Sequence, residues 1–166
     1  SVEKIVNTAY KSINKLMDAA VFGIGIYKEA SGDVDFPLFI EGGKKFTDIK
    51  YNILETDRLA IICYRDSKEI VINDYENELH KFIKTTASPK FGRNASSILY
   101  LPLIYKEKVL GVVTVQSFNK NAYDNFHVSI LKNLAAYIAI ALENAGLYEK
   151  QEAIVCDHQQ GCIYRI

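Results

Sequence analysis

The sequence carries no net charge: lysine plus arginine number 20, and aspartate plus glutamate also number 20. Without a field of one sign, nothing gathers nucleic acid or an anionic membrane surface, so partners must be recognised locally. Cysteine is scarce. Cys63, Cys156 and Cys162 are odd in number and irregularly spaced, which excludes a disulfide framework and points to a reducing, cytoplasmic setting. The sequon Asn94-Ala95-Ser96 goes unused there. No apolar run approaches the length that a bilayer crossing needs, and no charged segment followed by an apolar stretch opens the chain. A P-loop is missing as well, because Gly23-Ile24-Gly25 lies within a strand-like run and lacks a third glycine. His80, His127 and His158 are scattered outside any nucleophile motif, and the histidine-acidic pattern of a kinase phosphoacceptor is absent.

What is present is a core. Of the 166 residues, 49% are hydrophobic, enough to bury one domain of this size and too many for disorder. The chain opens with Val2, Ile5, Val6, Ala9, Ile13, Leu16 and Met17 at helical spacing, which predicts an amphipathic helix over 2–17. Residues 21–27 and 36–40, separated by Ser31-Gly32-Asp33, read as a β-hairpin. The stretch 53–65 reads as a helix and 69–73 as a short strand. Asp74 is placed to cap a further helix over 75–84. Residues 85–95, with Pro89 and Gly92, read as a loop able to cover a pocket. Residues 97–105 and 109–116 flank the short turn Lys106-Glu107-Lys108 and predict an antiparallel pair covered on both faces. Pro102 cannot donate to a ladder, so a bulge is expected at that position. Gly111 reads as a close backbone approach or a bulge.

Residues 125–149 predict one long helix whose centre, 134–142, is apolar on every side. Its neighbouring sheet can cover only part of that surface. The remainder is expected to meet the first helix and a second protomer, through Ile5, Ile13, Leu131, Leu134, Ile138 and Leu142; full burial within one domain is the alternative. His127 reads as a cap or flank at the start of this helix.

The order of elements, with Ser97-Ile98-Leu99-Tyr100-Leu101-Pro102-Leu103, Val109-Leu110-Gly111-Val112-Val113-Thr114-Val115-Gln116, Ala122-Tyr123, and the run from Leu131 to Tyr148, resembles a GAF domain over residues 1–150. The resemblance implies an α+β, profilin-like antiparallel sheet of five to six strands with helices on both faces and the terminal helices packed together. It also implies a small-molecule pocket, here surrounded by Tyr51, Cys63, Tyr64, Asp74, Tyr75, Phe91 and Tyr100, with Arg93 a further candidate. The opposing reading is that these aromatics only fill the core. Residues 151–166 would be a tail or linker to an output domain such as a histidine kinase, in a chain that starts at Ser1 and is expected to belong to something longer.

Departures from the family's special types narrow the chemistry. Asn119 and Lys120 match the cyclic-nucleotide signature, but Tyr123 replaces its Phe, and Phe126-His127 occupies its acidic region. The loop 85–97 lacks the Cys-His pair that holds a bilin. Arg93-Asn94-Ala95-Ser96-Ser97 lacks the thiols of the related free methionine sulfoxide reductases, so no redox nucleophile is expected. Cys63, amid apolar neighbours, reads as core. Cys156, His158 and Cys162 could offer three ligands to zinc, but no fourth lies nearby and no metal or cofactor is expected. The expectation is therefore a non-catalytic sensory domain that binds a small molecule, forms a homodimer, or does both, without contact to nucleic acid or membrane. A ligand-free dimerisation module is the alternative, and an enzyme of the sulfoxide reductase type a remoter one.

Overall fold

The computed structural model describes residues 1–84 and 93–158, with side chains up to residue 146. Eight strands form one antiparallel sheet. They are β1 (Val21–Lys28), β2 (Asp33–Phe36), β3 (Phe39–Glu41), β4 (Lys44–Phe46), β5 (Ile49–Asn52), β6 (Ile70–Ile72), β7 (Ser97–Tyr105) and β8 (Lys108–Ser117). The main path runs β4-β3-β1-β8-β7-β6, and β2 and β5 branch from the far end of β1. That is two to three strands more than the five to six expected, because residues 39–52 fold as short strands that offer too few positions to show a period.

The central strands alternate between two cores, as a pleated strand must. Phe22, Ile24, Leu99, Leu101, Leu103, Val113 and Val115 face one way. Val21, Ile98, Tyr100 and Val112 face the other. The first core is covered by α1 (Val2–Ile13) and α4 (Asn125–His158), the second by α2 (Leu59–Asp66) and α3 (Tyr75–Glu78) with the paired strands β2 and β5. Gly111 sits at the seam of β1 and β8, where an added Cβ would stand 1.9 Å from the Gly25 carbonyl oxygen. Only a residue without a side chain allows that approach.

Several predicted boundaries move. The first helix ends at Ile13, four residues early. The helix expected over 53–65 begins only at Leu59, because residues 49–52 pair with β2 and place Tyr51 in a strand. The helix expected over 75–84 gives way after Glu78 to a 3₁₀ turn, Leu79–Lys81. Asp74 holds the N-cap position but bonds no helical N–H. Glu78 instead reaches back to the residues ahead of the helix, accepting from the Asn73 and Asp74 N–H groups at 3.3 and 3.0 Å. Pro102 pairs in register with Val112, and the irregularity falls one residue later, between Leu103 and Ile104. The paired residues of β6 reach only as far as Tyr100, so Pro102 has a strand on one side only, where a missing donor is tolerated. The turn is two residues long, with Lys106 and Glu107 both at positive φ (46° and 68°), as the tight hairpin turn matched to strand twist requires.

α4 starts with a reciprocal cap: His127 N–H donates to the Asp124 carboxylate, and Asp124 N–H donates to His127 Nδ1, both at 3.1 Å. Leu131, Ala135, Ile138 and Ala139 then face the sheet, each 5% exposed or less. The alanines let the helix lie close, and each fully buried Leu or Ile contributes about 1.5–3 kcal/mol. Asn125–Gly146 is in fact long and apolar enough to cross a membrane, with a mean hydropathy of 1.3 over its most apolar window, of which 28% is buried. This corrects the expectation that no run reaches that length; the inward face of the stretch packs on the sheet.

Candidate functional site

The α2–α3 side of the sheet brings part of the expected pocket together. Tyr51, from β5, meets Phe36 edge-on at 6.0 Å between ring centroids. Arg58, directly ahead of α2, lies over the Tyr51 ring at 5.1 Å and has its Nε 3.5 Å from Glu55. Tyr100, on β7, is 7% exposed, and Cys63, on α2, is fully buried. Gln116 Nε2 donates to Thr114 Oγ1 at 3.0 Å and sits 3.5 Å from the Tyr100 hydroxyl, and Thr114 donates to the Leu99 carbonyl at 2.8 Å. Burial pushes the phenols of Tyr51, Tyr75 and Tyr100 upward, with Arg58 opposing the rise at Tyr51 and Tyr75. They remain neutral hydroxyls at physiological pH and offer hydrogen bonds rather than charge. The Cys63 thiol is pushed well above its ordinary range by burial, with Glu69 adding to the effect. It is held as an inert thiol rather than a nucleophile.

Other expected members lie elsewhere. Tyr64, next to Cys63 on α2, is half-buried and stacks on Tyr27, with centroids 4.7 Å apart. Asp74 faces away, accepting from Asn77 Nδ2 at 2.8 Å and standing 3.3 Å from Lys120 Nζ. Phe91 and the proposed covering loop over 85–92 lie outside the described residues, as do the side chains of Cys156, His158 and Cys162. Arg93, at the margin, has its guanidinium 3.8 Å over the Phe118 ring. No group of three or more metal-capable side chains occurs among the described residues.

Behind α3 lies a polar clasp that the sequence reading missed. Asn73 Nδ2 donates to the Tyr123 carbonyl at 2.8 Å, and Tyr123 N–H returns a bond to Asn73 Oδ1 at 3.0 Å. Buried Ser97 donates to the Asn119 carbonyl at 2.7 Å and accepts from Ala122 N–H at 3.2 Å. Ser117 donates to the Asp18 carboxylate, and the Tyr123 hydroxyl donates to the Asp18 carbonyl at 2.7 Å. With Lys120 on Asp74, these bonds tie the start of α3 to the segment that leads into α4. Arg58 and Asn73 left one faint signal each: a charge directly before an apolar helix, and an Asn-Asp pair directly after a strand.

The terminal helices form an apolar seam. Among the six residues expected to face a partner, Ile13, Leu131 and Ile138 are covered within the protomer, at 3% exposure or less. Ile5, Leu134 and Leu142 are half-buried. The outward residues are Tyr137 (75% exposed) and Ile140 (50%). Tyr137 stands between two grooves of about 390 and 300 Å³ on the α1–α4 surface.

The family model for the GAF domain matches residues 1–143. The chain belongs to the GAF family. No curated protein matches the sequence. Among solved structures, the chain is similar to residues 122 to 287 of a methyl-accepting chemotaxis protein, with 14% identity, a TM-score of 0.75, and coverage of 89% of this chain and 92% of that one. It is similar to the GAF domain of a two-component sensor histidine kinase from Bacillus halodurans, with 17% identity, TM-score 0.71, and coverage of 90% and 98%. A type II free methionine-R-sulfoxide reductase from Thermoplasma acidophilum shares the fold too, at 15% identity, TM-score 0.62, and coverage of 83% and 92%. A GAF fold thus accommodates sensory and catalytic members, and the residues of each chain decide between them.

Proposed function

We propose that this GAF domain is a non-catalytic regulatory sensor of the cytoplasm, which pairs with a second copy through α1 and α4 and passes a signal along α4 to an output domain such as a histidine kinase. The observation that carries this reading is α4 itself, whose centre over 134–142 is apolar on every side and whose outward residues Tyr137 and Ile140 have no cover among the described residues. Apolar surface of that extent marks a contact with another protein. Tyr51, Arg58, Tyr75 and Tyr100 supply hydroxyls, one cation and aromatic walls, which suit a small polar organic ligand on the α2–α3 side. A ligand that favours one position of α3 would, through the Asn73 clasp, bias the start of α4. The absence of a thiol in Arg93-Asn94-Ala95-Ser96-Ser97 and the burial of Cys63 speak against reductase chemistry.

Light scattering across the micromolar range tests the pairing, with Tyr137→Glu and Ile140→Glu as outward-facing variants that leave the protomer core intact. A dimer that both variants dissociate is the expected result. A monomeric parent at high micromolar concentration overturns it. Tyr100 and Cys63, packed tightly in the core, favour the ligand-free module as a second reading, and it gains if no metabolite raises the melting temperature.

A further inference from the structure

The ladder between β1 and β8 stops at Ile26–Gly111. Beyond that point β1 continues with β2 alone, through Tyr27–Val34 and Lys28–Asp33, while the start of β8 continues with β7 alone, through Val109–Ile104 and Lys108–Tyr105. The sheet therefore splits into two hairpins, whose facing edges have no strand partner among the described residues. α2 closes one side of the split with Tyr64 and Arg65, and α4 closes the other with Leu142 and Glu143, leaving a cleft of about 780 Å³. This lies within the range of about 300–1,000 Å³ for small-molecule sites.

We propose that this cleft is a second ligand site, adjoining the α2–α3 side at Ile53 and Tyr64 but opening at the split in the sheet, and that it takes a small aromatic zwitterion of the amino-acid type. Its lining supplies each part of that chemistry. Ile26, Ile53, Val109, Leu110 and Leu142 make an apolar floor. Tyr27 and Tyr64 form a stacked wall, 29° between planes, onto which a third ring can pack. Arg65 and Lys108 on the rim face a carboxylate, and Glu29 and Glu143 face an amine. None of these four has an ion-pair partner among the described residues. The open edges of β1 and β8 add backbone donors and acceptors, the groups that amino acids and peptides engage at a sheet edge. The site also touches α4 at Leu142 and Glu143, where the family match ends. An occupant there fastens the departing helix to the body of the domain.

NMR titration of the whole 166-residue chain with L-tryptophan, indole-3-propionate, tryptamine and L-leucine tests the proposal. L-tryptophan at millimolar concentration is expected to move the backbone resonances of Tyr27, Tyr64, Val109 and Leu142. Indole-3-propionate and tryptamine, each lacking one charge, are expected to bind about twofold to fivefold more weakly, the usual worth of one exposed ion pair. The pair of substitutions Arg65→Glu and Lys108→Glu, both on exposed residues, is expected to weaken indole-3-propionate and leave tryptamine bound. Three results overturn the proposal: no movement of these resonances with L-tryptophan, binding of L-leucine as tight as that of L-tryptophan, or indole-3-propionate binding untouched by the charge reversals. Tyr27 and Val109 lie on β1 and β8, outside the residues expected to meet a partner, so their movement is read separately from the dimer.

Discussion

Replacing Asn73 with alanine should loosen the junction between α3 and α4 by a calculable amount. The side chain donates one bond to the Tyr123 carbonyl at 2.8 Å and receives one from the Tyr123 amide at 3.0 Å, between residues fifty positions apart. At about 1 kcal/mol net for each bond, the loss is about 2 kcal/mol. In a domain of this size that lowers the melting temperature by roughly 4–8 °C. Urea denaturation measures the first figure and calorimetry the second. Hydrogen exchange should show the Tyr123 amide losing protection before the central residues of β7 and β8. Asn73→Asp keeps the acceptor for the Tyr123 amide but sets a carboxylate oxygen against the Tyr123 carbonyl, so it should cost at least as much as alanine. Asn77→Ala, which removes only an exposed bond to Asp74, is the control and should stay within about 0.5 kcal/mol of the parent. A loss below about 0.5 kcal/mol for Asn73→Ala, or an unchanged exchange rate at Tyr123, refutes the idea that this clasp joins α3 to α4.

Gly111→Ala places a methyl group 1.9 Å from the Gly25 carbonyl oxygen; both partners are backbone in the middle of the sheet, so the variant is expected to be insoluble or unfolded by circular dichroism, whereas Gly146→Ala, with open space around it, should fold as the parent does. Cys63, in a variant carrying Cys156→Ser and Cys162→Ser, should resist a thiol reagent at neutral pH and react only when urea opens the core, because burial raises its thiol far above the working range. Prompt labelling of the native protein would remove the argument against a thiol chemistry at this position.

Much of the fold was legible because its central elements are long. Residues 97–105 and 109–116 announce a paired, doubly covered hairpin, and the structure places both in the middle of the sheet with the two cores on either side. Short elements carried no such signal. Ile49–Asn52 is four residues long, too few for alternation to separate strand from helix, so Tyr51 was assigned to no element. The outward face of α4 was misread for the opposite reason. A helix apolar on every side has no polar stripe to give its phase, and Ile138, pointing at the sheet, looks the same in sequence as Tyr137, pointing away. The clasp was invisible because Asn73, Ser97, Ser117 and Tyr123 meet only after the sheet has formed. The expected ligand residues did not all converge, because a list of aromatics gives composition without direction: Cys63 and Tyr64 are neighbours on α2, yet Cys63 is buried in the core while Tyr64 stacks on Tyr27 beside the cleft.

Chain order gives α4 a further meaning. All eight strands and α1 precede it, so during synthesis the surface that receives Leu131, Ala135, Ile138 and Ala139 can already exist when the helix leaves the ribosome. A stretch with the length and hydropathy of a membrane span would otherwise emerge with no protein surface to meet, open to capture by a chaperone or the insertion machinery. Placing the most apolar helix last turns a biosynthetic hazard into the closing step of folding. It also means that a substitution which delays the sheet, such as one at Gly111, should act first on where the nascent chain goes and only then on how stable the finished domain is.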